Sequence, residues 1–166
     1  MPGPWSGNVP ADCAASGILI PMGLLIDYFA AASDDDARAA LADGPGDRFP
    51  TAGGPGIEPV VNLGKLEELL TGTTFEQQLD DPGSRPLIAS GNDDQVLVIK
   101  LDDGLAGALA AAGRAELGEL AMPWSQIEEF GGAADPAALA DFLHRLQDLA
   151  QAAVSARCSV YCWVCV

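Results

Sequence analysis

The apolar positions of this chain fall into runs of two kinds. Three are nearly continuous and short: residues 23–29, 95–101 and 158–166, rich in Val, Ile, Leu and aromatic side chains. Runs of this length and composition read as β-strands. Because each is apolar on both faces, each is expected in a central position of a sheet that is covered on both sides.

The second kind repeats at three- and four-residue steps. Val60, Leu63, Leu66, Leu69 and Leu70 place a helix over 59–71, with Pro59 in its first turn and Gly72 ending it. Leu139, Phe142, Leu143, Leu146, Leu149, Ala150 and Val154 form a longer stripe. That stripe predicts a helix over 136–156, opened by Asp135-Pro136 and carrying an Asp141–Arg145 pair on its polar side.

Two shorter helices are expected over 34–43, capped by Ser33, and over 103–112, capped by Asp102 or Asp103. Thr74 to Leu79 adds one more turn, and residues 80–94 read as loop. Residues 116–131 are ambiguous, with a break at Met122-Pro123-Trp124. The Gly/Pro-rich stretch 44–58 reads as an insertion, since no Gly-Lys-Ser/Thr follows to make a phosphate cradle. The sum is a single α+β domain, a small mixed sheet packed by four to five helices.

Residues 1–21 show no periodicity and contain Pro2, Gly3, Pro4, Gly7 and Pro10. They are expected to be a flexible leader, with the domain running from Met22 to Val166. The leader lacks the Lys or Arg of a signal peptide, and Pro21 and Asp27 interrupt the apolar run 17–32. A cytoplasmic location is the expectation.

Charge narrows the partners. The 24 acidic residues outnumber the 8 basic ones, for a net charge of −16. Such a surface repels phosphate backbones and anionic lipid, so neither nucleic acid nor membrane is expected as a partner, and a basic protein is. The Ala, Gly, Asp and Arg usage fits a bacterial genome rich in G and C.

Candidate chemistry is sparse. The triplet Asp34-Asp35-Asp36 points three ways around a helix, about 100° apart, and suits a helix start rather than a metal. His144 is the only histidine and has no nucleophile or carboxylate assigned to it. Cys158, Cys162 and Cys165 have the spacing of a radical-enzyme iron–sulfur motif. On a strand, however, Cys158 and Cys162 face one side and Cys165 the other. They read as reduced core thiols, with no disulfide expected in a cytoplasmic chain. No metal or other cofactor is expected, and no catalytic residue is assigned.

The Leu-Leu-Ile-Asp-Tyr-Phe-Ala segment after Met22, and Leu66-Glu-Glu-Leu-Leu-Thr-Gly72, resemble segments of the YfbM-like family, a bacterial domain of unknown function. The order of the second strand, Ala-rich helix, Pro-Trp turn, long helix and closing strand is similar too. The resemblance spans residues 22–166. The loop 44–58 and the cysteine-rich close depart from the pattern. It implies a compact α+β domain and no activity. A non-enzymatic binding or regulatory protein of the immunity type, working through its acidic surface, is the first expectation. A small enzyme using Asp/Glu acid–base chemistry in an aromatic-lined pocket is the alternative. Tyr28 and Trp124 are the pocket candidates; Asp93, Asp94, Asp102 and Asp103 are the surface candidates. Converging carboxylates with raised pKa values in one pocket would favour the enzyme.

Overall fold

The computed structural model describes residues 25–53, 57–81 and 83–166. The leader 1–21 and the expected domain start at Met22 lie outside the described residues. The elements are β1 (Leu25–Ala31), α1 (Asp34–Arg38), α2 (Ala40–Asp43), β2 (Thr51–Gly53), α3 (Val61–Thr71), α4 (Phe75–Asp80), β3 (Leu87–Gly91), β4 (Val96–Lys100), α5 (Asp103–Ala111), α6 (Arg114–Ser125), α7 (Pro136–Ser155) and β5 (Ser159–Cys165). Short 3-10 turns lie at Gly46–Arg48 and Glu128–Phe130. This is an α+β domain.

The sheet order is β2-β1-β5-β4-β3. The three continuous apolar runs occupy its three inner positions, as their two-sided burial requires. The expectation of a mixed sheet is corrected: every pairing is antiparallel. β1 and β4 do run in the same direction, but β5 inserts between them and opposes both. It aligns Leu25 with Cys165 and Ala31 with Ser159 on one side, and Val96 with Cys165 on the other.

Alternation sorts the side chains onto two faces. Ile26, Tyr28, Ala30, Val160, Cys162 and Val164 join the larger core under α3, α5, α6 and α7. Phe29, Ala31, Val98, Tyr161 and Trp163 form a smaller one with Ala37 of α1 and Ala40 of α2. α7 buries Leu139, Phe142, Leu143, Leu146, Leu149, Ala150 and Ala153. Val154, expected in that stripe, is 52% exposed, because three steps on from Ala150 the buried face falls on Ala153.

Local chemistry sets the boundaries. The Ser33 hydroxyl accepts from Asp36 N at 3.1 Å, and Asp102 rather than Asp103 caps α5. The helix expected over 34–43 is divided at Ala39 into α1 and α2. α3 begins at Val61, not Pro59, because the Glu58 carboxylate accepts from the amides of Val60, Val61 and Asn62. α6 runs through Pro123, where a break was expected. The proline stands in the last turn and frees only the carbonyl of exposed Glu119, while Trp124 beyond it is anchored in the core. β2 and β3, both edge strands, lie in stretches expected to be loop.

Gly64 of α3 meets α4 at close range. A Cβ there would lie 2.8 Å from the Phe75 ring and 2.9 Å from Gln78 Oε1, and the Gln78 amide donates to the Gly64 carbonyl at 2.9 Å. Alanine normally adds about 1 kcal/mol to a helix at a glycine site. Here the overlap outweighs that gain, and Gly64→Ala is expected to destabilise by roughly 1–2 kcal/mol in urea unfolding. A stabilised variant would mean that α4 is free to move away.

Candidate functional site

β1 carries one carboxylate among apolar neighbours. Asp27 is 0% exposed, and among the described residues neither of its side-chain oxygens has a hydrogen-bond partner. The register sets it opposite Trp163 of β5 and Gly53 of β2, on the face of the smaller core. A Cβ on Gly53 would lie 3.5 Å from Asp27 Oδ1. Burial without a compensating charge pushes its pKa up to about 7. Sequence reasoning noted Asp27 only as an interruption of an apolar run. A lone acid on a strand buried on both faces was the available signal.

Tyr28 and Trp124 are both completely buried. The Tyr28 hydroxyl donates to the Ile57 carbonyl at 2.6 Å, and Trp124 Nε1 donates to the Asn62 carbonyl at 2.8 Å. Burial raises the pKa values of Tyr28 and Cys162 well above their ordinary range. Phe142 links the two aromatics, with ring centroids 5.6 Å from Tyr28 and 6.4 Å from Trp124. Their place is therefore one layer behind a cavity, not on its wall. That cavity, of about 370 Å³, opens between the first half of α7 and the 3-10 turn before it. Ile57, Phe130, Ala134, Ala138, Leu139 and Phe142 form its apolar wall; Asp135 and Arg145 supply its charge.

The four surface acids are not one patch. Asp93 and Asp94 sit exposed in the β3–β4 turn, both with positive φ. Asp102 and Asp103 lie beyond the other end of β4, where Asp102 caps α5 and Asp103 accepts from the Ser159 hydroxyl at 3.3 Å. The five residues of β4 separate the pairs by about 17 Å or more.

The cysteines divide as their strand positions require. Cys162 belongs to the larger core with Cys158 against it, and Cys165 belongs to the smaller core. Cys158 and Cys162 are free thiols. Cys165 is disulfide-bonded, which corrects the expectation of reduced thiols throughout. It pairs across the sheet with Leu25, where the described chain enters β1. A second cavity of about 310 Å³ is lined mainly by alanines, with Cys158 and Arg48 among the rest. His144 Nε2 lies 3.1 Å from the Arg114 carbonyl, which ties α7 to α6.

Among the described residues, Asp27 is thus a single raised carboxylate on which no second acid converges, and it lines neither of these cavities. Among the described residues, no group of His, Cys, Asp and Glu is placed to hold a metal ion, and no helix is long and apolar enough to cross a membrane. No family model, no curated protein and no solved structure matches this chain.

Proposed function

We propose that the protein is a non-enzymatic binding protein of the YfbM-like kind, acting through its acidic surface on a basic protein partner. The observation that carries this reading is how the few cations are used. Arg38, Arg85, Lys100 and Arg114 are each paired with an acid of the same chain. Arg48 donates to the carbonyls of Ala39 and Gly44, and Arg145 to that of Gly53. Lys65 lies over the Phe75 ring, 5.1 Å from its centroid. Seven of the eight cations are thus engaged within the chain, only exposed Arg157 standing apart from these contacts, and the excess of acid faces outward. Exposed Glu68, Glu76, Asp80, Glu116, Glu119 and Asp141 are examples.

An acidic field of this kind speeds encounter with a basic surface, and salt screens it. The test is affinity purification of the partner, followed by association rates against ionic strength. The rate is expected to fall about tenfold or more between 20 mM and 200 mM salt, with a smaller change in dissociation. Asp93→Asn with Asp94→Asn, and Asp102→Asn with Asp103→Asn, are separate tests, since one partner of ordinary footprint need not reach both ends of β4. A rate indifferent to salt, or an acidic partner, overturns the reading.

A further inference from the structure

The cavity at the start of α7 has walls of one chemistry and a rim of another. Its interior is aromatic and aliphatic, and its volume of about 370 Å³ is near the small end of ligand clefts, roughly 300–1,000 Å³. That is room for one or two side chains rather than a folded element. The rim is acidic. Asp135 lies in the wall, exposed Glu128 and Glu129 lead directly into wall residue Phe130, and exposed Asp141 stands three residues from Ala138 on α7. Among the described residues, no cation pairs with any of these four acids.

Arg145, which lines the same cavity, sets one positive charge against these four acids. The Asp141–Arg145 pair read from the helical spacing is replaced by a bond from Arg145 to the Gly53 carbonyl at 3.0 Å, with the guanidinium 5.8 Å from the Phe142 ring centroid. The rim therefore favours cations around an apolar hole. A second copy of this chain is a poor occupant, since at −16 it carries the same sign of charge.

We infer that this cavity receives a bulky apolar side chain of a basic partner, with the partner's flanking lysines or arginines held by Glu128, Glu129, Asp135 and Asp141. The inference rests on the acidic-surface reading and gives it a location. It has the anatomy of an interface hot spot: a filled apolar pocket inside a polar rim.

Amidated pentapeptides serve as probes: Lys-Lys-X-Lys-Lys with X as Phe, Leu, Trp or Ala, and Gln-Gln-Phe-Gln-Gln. Each is titrated to roughly millimolar concentration into the isotope-labelled full chain and followed by NMR. The expected result is saturable shifts at Phe130, Ala134, Ala138 and Phe142 with the best bulky centre. Binding should be about tenfold weaker for the Ala-centred and Gln-flanked peptides. Ala138→Trp, at an exposed wall position, should abolish those shifts. Asp135→Asn with Asp141→Asn should weaken binding about tenfold while asparagine keeps the helix cap.

Equal binding of the Ala-centred peptide, shifts centred elsewhere, or no binding by any peptide would overturn the inference. The two readings separate with the purified partner. A salt-dependent association rate that survives Ala138→Trp sinks the docking point and spares the acidic surface. A salt-independent rate sinks the acidic surface itself.

Discussion

Asp27→Asn is expected to flatten the stability profile of this protein between pH 4 and 7. The carboxyl titrates at about 7 in the folded chain, against 3.8 when unfolded. A group whose folded pKa is raised binds its proton more tightly in the native state. Its contribution is whole below the unfolded value and is lost as pH rises through the folded one. Over that interval Asp27 alone lowers stability by about 1.4 kcal/mol per pH unit, reaching about 4 kcal/mol above pH 7. Asp34 and Asp148 have lowered pKa values, from hydrogen bonds donated by Tyr161 and Arg114, so they act in the opposite sense as pH falls. They are common to both proteins and cancel in the difference. Urea unfolding of wild type and variant at half-unit pH steps measures it. Asp27→Leu should be the more stable substitution above pH 7, since asparagine still buries an unpaired amide. Parallel wild-type and Asp27→Asn profiles would show that water or a neighbour solvates Asp27 in solution.

Breaking the Glu67–Arg85 pair is expected to cost a comparable amount. The two side chains are 6% and 7% exposed, and Arg85 Nη2 donates to Glu67 Oε2 at 2.7 Å. Arg85 also donates to the carbonyls of Pro59 and Ser84 and to the Ser84 hydroxyl. One guanidinium thus fastens the chain ahead of β3 to the start of α3. Removing one member of such a pair strands the other without water, at about 3–5 kcal/mol. Arg85→Met should lower stability by that much at pH 7. Glu67→Leu with Arg85→Met should recover most of it, because an apolar pair carries no desolvation penalty. It should not recover all, since the Pro59 and Ser84 carbonyls lose their donor. A single variant within about 1 kcal/mol of wild type would show that the pair is solvated.

Both effects lie where sequence reading is least informed. Glu67 stands on the polar side of the α3 pattern, and Arg85 falls in a stretch expected to be loop. Nothing local announces that 18 residues apart in the chain they share one buried contact. Tyr28 and Trp124 were legible as important aromatics, yet only packing shows that both are sealed behind Phe142 and that the cavity belongs to Phe130, Phe142 and α7.

Residue type and period alone determined the inner strands β1, β4 and β5 and the helices α3, α5 and α7. Each signal there is local: apolar runs that must be covered, three-and-four spacing, and caps at Asp102, Asp135 and Gly72. Tertiary structure decided the rest. β2 and β3 are edge strands, which need one neighbour and little apolar patterning, so their composition reads as loop. β5 inserts between β1 and β4 because pairing depends on where the chain returns, and this makes the sheet antiparallel. The state of Asp27 and the partners of Arg85 and Arg145 follow from desolvation and distance, which residues acquire only once distant segments pack around them.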